Sequence, residues 1–122
     1  MFEWILEYLP EENILLLKSK GIMDVPSANS MVKAVADGAV EHQCFKHLID
    51  HRETRFDFRL TDYYKRPAIN EQLGISRKFK IAMVFAQITK DTKFMETVFN
   101  NRGYNLRHFT NIEEARQWLW EE

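Results

Sequence analysis

Apolar residues stand at every second position at the start of the chain, with acidic residues between some of them. A period of two is typical of a strand with one face on the core, so residues 2–8 are predicted to form the first strand. Pro10 and the polar residues after it supply a turn, and the apolar run 14–17 predicts a second strand that completes a hairpin. Gly21 is expected to end this second strand.

The pattern then changes to apolar residues at steps of three and four, which predicts a helix. Asp24 can cap this helix, and Pro26 is tolerated in its first turn because no backbone N–H is needed there. The apolar stripe consists of Ala28, Met31, Val32, Val35, Ala36 and Ala39. Gly38 is expected inside this helix or just after it.

A third strand is predicted over residues 45–52. It turns polar at Asp50, His51 and Arg52, so the chain is expected to leave the core there. Open α/β sheets place ligands at the carboxyl ends of their strands, which makes these three residues a candidate partner or ligand rim. The favoured structural interpretation is a loop in which Asp50 binds Arg52 or caps backbone amides.

Thr61 is expected to cap a second helix that carries Tyr63 and Tyr64. Pro67 should break or bend this helix into two short pieces, since proline lacks the backbone N–H that a helix interior requires.

Further along, Thr89 or Asp91 should open a third helix, and Gly103 should end it in a left-handed conformation. After a last strand, Thr110 and Glu113 can form a capping box, in which each side chain satisfies a backbone amide of the other. The final helix is expected to run from there to the carboxyl terminus.

This order of elements implies an α/β fold, with a mostly parallel sheet of about five strands and about four helices. A chain of 122 residues suits one domain over residues 1–122. The nearly continuous apolar run 79–86 is typical of a strand covered on both faces, so it is expected in the middle of the sheet.

Charge and cysteine content narrow the functional classes. With 17 Lys and Arg against 18 Asp and Glu, the chain offers no general attraction to nucleic acid or anionic lipid. The single cysteine, Cys44, excludes an intrachain disulfide and fits a reducing compartment. The apolar run 81–86 is too short to span a bilayer, and the first residues do not resemble a secretory signal. A cytoplasmic location without a membrane span is therefore expected.

Candidates for catalysis and metal binding are sparse. His47 and His51 could face one side of an extended strand near Asp50, but three or four converging donors with a recognised spacing are lacking. No serine or cysteine nucleophile accompanies the polar trio, Cys44 is expected to be a small buried hydrophobe, and the glycines are too scattered for a phosphate loop. We therefore expect no metal, no cofactor and no enzymatic activity.

Three segments carry a resemblance to a known family: residues 47–52, residues 101–110, and the Ala-x-x-Trp-Leu pattern from Ala115 to Leu119. Together with the order of elements, they resemble the STAS superfamily, and in particular its bacterial SpoIIAA-like, or STAS/SEC14-like, branch. The resemblance covers nearly the whole chain. It implies a non-enzymatic regulatory or protein-interaction module similar to anti-sigma-factor antagonists, with a protein as its partner.

Phosphoregulated members of that superfamily carry a serine or threonine at the start of the helix after the third strand, where a phosphate is favoured. Here that helix begins near Thr61, so Thr61, Tyr63 and Tyr64 join the candidate rim. The usual Asp-Ser-Ser-like signature is missing, and residues 55–58 form a strand-like insertion before Thr61. This departure argues against a phosphoswitch of the usual kind.

Aromatic residues are abundant, with nine Phe, four Tyr and three Trp. In the last helix, Trp118 and Trp120 fall on opposite flanks of the buried stripe, so one of them must stay exposed. Trp120 is predicted to belong to a self-association surface, as in a homodimer, or to a partner surface. The alternative function is a small apolar-ligand or lipid-binding module, prompted by the aromatic content and by the SEC14-like side of the resemblance.

Overall fold

Nine helices and strands make up the part of the chain that the computed structural model describes, residues 1–121. In chain order they are β1 (Phe2–Leu9), β2 (Ile14–Met23), α1 (Val25–His42), β3 (Lys46–Phe56), α2 (Leu60–Gln72), β4 (Lys80–Val84), α3 (Lys90–Asn101), β5 (Asn105–Phe109) and α4 (Ile112–Trp120). The strands form one sheet in the order β1-β2-β3-β4-β5, in which β1 is antiparallel to β2 and the other neighbours are parallel. The predicted α/β fold is confirmed. None of the helices in residues 1–121 has the length and apolar character needed to cross a bilayer.

The two faces of the sheet are covered unequally. Helices α1, α2 and α3 pack on one face, where Met31, Tyr63 and Phe99 belong to a single apolar core. Helix α4 packs on β3, β4 and β5 from the other side, where Ala115 and Leu119 belong to a smaller core. We refer to these sides as the three-helix face and the α4 face.

Helix α1 follows the sequence pattern closely. The Asp24 carboxylate accepts a hydrogen bond of 2.9 Å from the Ser27 backbone N–H, which confirms the predicted cap. All six residues of the predicted apolar stripe are buried. Gly38 lies inside the helix, which ends at Gln43 in a left-handed conformation.

Strand β2 continues to Met23, so the prediction that Gly21 ends it is wrong. Gly21 has a φ of 106°, a conformation that residues with a Cβ atom rarely adopt. A Cβ atom here would lie 2.1 Å from the Met1 carbonyl oxygen, just before β1. The glycine therefore allows β2 to stay paired with β1 at this close approach instead of terminating.

Strand β3 also runs further than predicted, past Arg52 to Phe56, so the expectation that the chain leaves the core at residues 50–52 is wrong. Asp50 and His51 are each only 2% exposed. The strand continues because the extended β2 lies beside it and supplies backbone hydrogen-bond partners along its polar half. Polar character alone therefore does not mark the end of this strand.

The pairing of β2 with β3 contains an irregularity in this polar half. Lys18 of β2 pairs with Asp50 of β3. The next pair, Lys20 with Glu53, leaves one residue of β2, Ser19, opposite two residues of β3. This is a β-bulge, which increases the local twist and redirects the side chains of the bulged strand.

Helix α2 begins one residue after Arg59, so Thr61 is not its cap. Arg59 takes the cap position expected of Thr61, and the Asp62 carboxylate accepts a hydrogen bond of 2.8 Å from the Arg59 backbone N–H. The prediction of two short pieces is also wrong, because α2 is one continuous helix with Pro67 inside it.

Side-chain hydrogen bonds compensate for the one backbone hydrogen bond that Pro67 removes from α2. The buried Arg66 side chain donates hydrogen bonds of 2.7 Å to the Asn29 side chain on α1 and to the Asn70 side chain one turn further along α2. These bonds tie the two helices together across the proline.

Strand β4 lies between β3 and β5, and β3 is the middle strand. The run 79–86 is therefore an interior strand, as its apolar character predicts, but one position away from the centre. Thr89 is confirmed as the cap of α3, since its hydroxyl accepts a hydrogen bond of 3.2 Å from the Thr92 backbone N–H. Gly103 follows the helix with a φ of 88°, as expected.

Helix α4 starts one residue later than predicted and ends before the carboxyl terminus, whose last residue lies outside the described part of the chain. Asn111, not Thr110, is the cap, and its side chain accepts a hydrogen bond of 3.0 Å from the Glu114 backbone N–H. The helix ends at Trp120, and Glu121 is extended. The Lys80 ammonium group donates a bond of 2.5 Å to the Trp118 carbonyl, which satisfies one of the free carbonyls at this helix end.

Replacement Gly21→Ala should lower the free energy of unfolding by more than about 2 kcal/mol, because alanine adds both backbone strain and an overlap with the Met1 carbonyl. Gly103→Ala is the matched control: its φ is also positive, but the nearest atom to a new Cβ is a flexible Arg77 side-chain atom 3.5 Å away. We expect Gly103→Ala to lower the free energy of unfolding by about 1 kcal/mol. Urea unfolding of both variants measures the difference, and equal losses would contradict this explanation of Gly21.

Candidate functional site

A cleft with a volume of about 320 Å³ opens at the carboxyl end of β4, on the three-helix face. One side, the β3 wall, consists of His51, Thr54, Arg55 and Phe56. The cleft exists because β3 is longer than β4: Asp50 and Val84 form the last pair between them, and β3 then continues without a neighbour on that side.

The opposite side, the α3 wall, is the segment that leads from β4 into the first turn of α3. It contributes Phe85, Gln87, Thr89 and Asp91, while Tyr63 of α2 closes the bottom between the walls. Tyr63 and Phe85 are buried, whereas Gln87 and Asp91 are exposed. The cleft thus has a buried aromatic bottom and a polar entrance.

A buried hydrogen-bond network fixes the β3 wall. The Ser19 hydroxyl lies 2.5 Å from His51 Nδ1 and 2.5 Å from the Thr54 hydroxyl. Ser19 and His51 lie at the β-bulge, where Ser19 is the single residue of β2 opposite two residues of β3, and Thr54 lies just beyond it. The network therefore holds the bulged part of β3 on β2 and sets the position of the His51 ring in the cleft.

Three histidines are buried on the three-helix face, and burial lowers the pKa of each to about 4. His47 makes a hydrogen bond of 3.1 Å with the Cys44 carbonyl, and His51 binds Ser19. His108 packs against Phe85 with ring centroids 4.7 Å apart, and neither of its ring nitrogens has a hydrogen-bond partner within residues 1–121. The neighbouring His51 lowers the pKa of His108 further, so all three rings are neutral at pH 7.

Asp50 and Arg52 form an ion pair on the α4 face. The Asp50 carboxylate accepts bonds of 2.9 Å from Arg52 Nε, 2.8 Å from its terminal nitrogen and 3.1 Å from its backbone N–H. Burial raises the pKa of Asp50, but these bonds and the Arg52 charge outweigh burial and hold the pKa below its usual value. The expected pairing of Asp50 with Arg52 is confirmed, although it lies in a strand and not in a loop.

The six predicted rim residues do not form one surface. His51 and Tyr63 line the cleft, whereas the Asp50 and Arg52 pair belongs to the opposite face of the sheet. Thr61 is exposed in the first turn of α2. The Tyr64 ring points away from the cleft and lies 5.8 Å from the Arg102 guanidinium group, just after α3.

Trp120 is 52% exposed, as predicted, while Trp118 packs on Phe109 with ring centroids 5.8 Å apart. The Lys46 ammonium group lies 5.1 Å from the Trp120 ring centroid, a cation–π contact that holds the ring on the surface. Lys46 begins β3, so Trp120 stands near the amino end of β3, at the opposite end of the strand from the cleft. Its role in self-association stays a prediction.

A metal site requires several donor side chains that converge on one point. Within residues 1–121, no group of three or more His, Cys, Asp or Glu side chains converges on a point that could hold a metal ion. Cys44 is buried, as predicted, and burial raises the pKa of its thiol.

Two cavities on the three-helix face have volumes of about 40 and 30 Å³. Pockets for small molecules usually measure about 300–1,000 Å³, so a lipid chain could enter these cavities only by displacing core side chains.

Comparisons with known proteins show which fold this chain shares. A scan against protein-family models and a search of curated proteins found no match. Among solved structures, an anti-sigma factor antagonist from Mycobacterium paratuberculosis matches 99% of this chain and 96% of its own, with a TM-score of 0.67 and 11% identity. The anti-sigma factor antagonist SpoIIAA, in its unphosphorylated form, matches 98% of this chain and 100% of its own, with a TM-score of 0.59 and 13% identity. The chain has the SpoIIAA-like fold.

A further structure with the SpoIIAA-like fold is an uncharacterized protein of the DUF3478 family from Shewanella loihica. It matches 97% of this chain and 93% of its own, with a TM-score of 0.61 and 17% identity. The resemblance to the STAS superfamily is thereby confirmed for the fold. Structural matches at sequence identities this low show a shared arrangement of the backbone, and they do not show a shared site chemistry.

Within the SpoIIAA-like fold, sequence reasoning missed most of the cleft. Ser19 stands in a short polar stretch that gave no signal, because its partners His51 and Thr54 are more than 30 residues away in sequence. Phe85 and Gln87 could have been found, since they directly follow an interior parallel strand, where α/β sheets place ligands. His108 was missed because nothing local distinguishes a buried histidine from an exposed one.

Lowering the pH from about 6.5 to about 4 should destabilise the fold through the three buried histidines. Their pKa values are lower in the folded chain, so their contribution to stability is complete above pH 6.5 and is lost as the pH falls towards 4. Urea unfolding across this range should show a steeper loss for the natural chain than for His108→Phe. The exposed His42→Gln is the control. If the free energy of unfolding of His108→Phe falls with pH as steeply as that of the natural chain, the loss does not arise from burial of His108.

Replacement Asp50→Asn should lower the free energy of unfolding by about 1–2 kcal/mol, less than for a fully buried pair because Arg52 can reach water. The Arg52 side chain is 39% exposed, against 3% for Asp50. Asp37→Asn is the matched control, since Asp37 pairs with Lys33 on the exposed surface of α1. This control should lower the free energy of unfolding by less than about 0.5 kcal/mol. Equal losses in thermal or urea unfolding would show that burial of Asp50 does not strengthen its pair.

Proposed function

We propose that this chain is a regulatory module that binds another protein at the cleft end of the molecule, without catalysing a reaction. The observation that carries the proposal is the SpoIIAA-like fold, shared over nearly the whole chain with two proteins named as anti-sigma factor antagonists. By name, those proteins act against another protein. The proposal extends a role of that kind to this chain.

The surface proposed for the partner is the cleft rim, which we define as Leu60, Thr61 and Ile88. Leu60 is 59% exposed at the start of α2, three residues before Tyr63 of the cleft bottom. Ile88 is 40% exposed between two residues that line the α3 wall. Exposed apolar side chains around a cleft are typical of protein-interaction surfaces, because burying them against a partner removes them from water.

The arrangement of polar side chains supports a role without catalysis. Ser19 and His51 lie within hydrogen-bond distance, as a nucleophile and a base would, but each is only 2% exposed. The Ser19 hydroxyl is also shared with Thr54, and Asp50 is bound to Arg52 on the other face of the sheet. A serine, a histidine and a carboxylate are therefore not aligned towards a substrate.

The double variant Leu60→Ser/Ile88→Ser tests the cleft rim. Both side chains are exposed, so the fold should be retained while the apolar contact to a partner is lost. The measurement is quantitative affinity purification of the full chain from its native host at native expression, compared with Val40→Ser. Val40 is an apolar residue near the end of α1 that is 77% exposed, and it serves as the control for removing an exposed apolar side chain elsewhere.

The expected result is one protein recovered in a fixed ratio with the natural chain and with Val40→Ser, and reduced at least about tenfold with the double variant. Recovery of the same protein with all three chains would place the partner surface elsewhere. Failure to recover any stoichiometric protein with the natural chain would count against the interaction role itself.

A further inference from the structure

The two walls of the cleft carry opposite charges that have no ionic partner within residues 1–121. Arg55 stands on the β3 wall and Asp91 on the α3 wall. Both are exposed, and neither lies within 4.0 Å of an oppositely charged side chain anywhere in residues 1–121. The cleft therefore presents a positive group and a negative group that are held apart.

An apolar surface lies between these charges. Phe56 is 6.0 Å from Tyr63 and 5.8 Å from Phe85, measured between ring centroids, so the three rings form a continuous aromatic bottom. The aromatic bottom can accept the apolar body of a ligand and exclude water from it. His51, which also lines the cleft, adds no charge at pH 7 because burial lowers its pKa to about 4.

Asp91 is close to the aromatic bottom as well as to solvent. Burial raises the pKa of Tyr63 to about 12, and the negative charge of Asp91 contributes to the same shift. The carboxylate and the ring thus share one end of the cleft. A cationic group bound there would meet the Asp91 carboxylate and could also lie over an aromatic face.

We propose that the cleft binds a small zwitterion with an apolar body, the chemistry of a free α-amino acid. Its carboxylate would face Arg55, its ammonium group would face Asp91, and its side chain would rest on Phe56, Tyr63 and Phe85. The volume of about 320 Å³ suits a ligand of this size, near the lower limit for small-molecule pockets. This inference goes beyond the proposed function and does not rest on it.

The test uses the full ¹⁵N-labelled chain and three related probes in an NMR titration. L-phenylalanine carries both charges, L-phenylalaninamide lacks the carboxylate, and 3-phenylpropionate lacks the ammonium group. We expect L-phenylalanine to bind with a dissociation constant on the order of 1 mM, with the largest shifts in residues 51–56 and 85–92. Each single-charge probe should bind about three- to tenfold more weakly, the loss expected for one hydrogen bond that is open to solvent.

Two variants assign each charge to its wall. Asp91→Asn should weaken L-phenylalanine about three- to tenfold but leave 3-phenylpropionate unchanged, because that probe has no ammonium group. Arg55→Gln should weaken L-phenylalanine similarly and leave L-phenylalaninamide unchanged. Glu114→Gln, on the first turn of α4, is the control for removing an exposed charge elsewhere and should change none of the three affinities.

Three results would overturn the inference: no shifts in the cleft at about 10 mM L-phenylalanine, equal binding of L-phenylalanine and its amide, or indifference of all probes to both variants. The ¹⁵N spectrum of each variant verifies that the fold is intact. The outcome is independent of the proposed function. Loss of a protein partner in Leu60→Ser/Ile88→Ser bears on that function alone, and the three probes bear on the ligand alone.

Discussion

The hydrogen bond between the Ser19 hydroxyl and the His51 ring, 2.5 Å long, is the contact on which the cleft end of the molecule depends. It lies at the β-bulge, where β3 carries one residue more than β2, and it turns the His51 ring inward while the chain remains in the sheet. Without it, a polar segment with an imidazole would have no reason to stay buried. With it, β3 runs on past the last residue of β4, and the space beside this extension is the cleft.

The alternation of side chains along β3 also sorts the polar groups by face. His51 lies on the three-helix face, where the surroundings are apolar and the ring stays neutral. Its neighbours Asp50 and Arg52 lie on the α4 face, where the pair is closed by three hydrogen bonds. A charge on the first face would be far from water and without a partner, whereas on the second face the Arg52 side chain reaches solvent. The alternation of β3 therefore keeps the fixed charges out of the larger core while leaving a neutral ring at the cleft.

Sequence patterns predicted the features that depend on local chemistry. The stripe of α1 and its Asp24 cap follow from spacing and side-chain type within a few residues, and both are confirmed. Patterns failed where a distant segment decides the outcome. Gly21 does not end β2 because Met1 is packed against it, and polar residues 50–52 do not end β3 because β2 pairs with them. The predicted rim likewise mixed residues of both faces, because residues 50–52 lie in a strand, where consecutive side chains point to opposite faces of the sheet.

The comparisons and the cleft answer different questions. A backbone arrangement can be common to chains with 11–17% identity, because it requires only that apolar residues recur at the right positions. The cleft requires particular side chains: a short hydroxyl at Ser19, an uncharged ring at His51, and opposite charges at Arg55 and Asp91. The extension of β3 is a property of the backbone, but what the resulting space can bind is set by these few side chains. The likeness to solved structures therefore establishes the fold alone, while the selectivity of this chain has to be sought in the residues of the two walls.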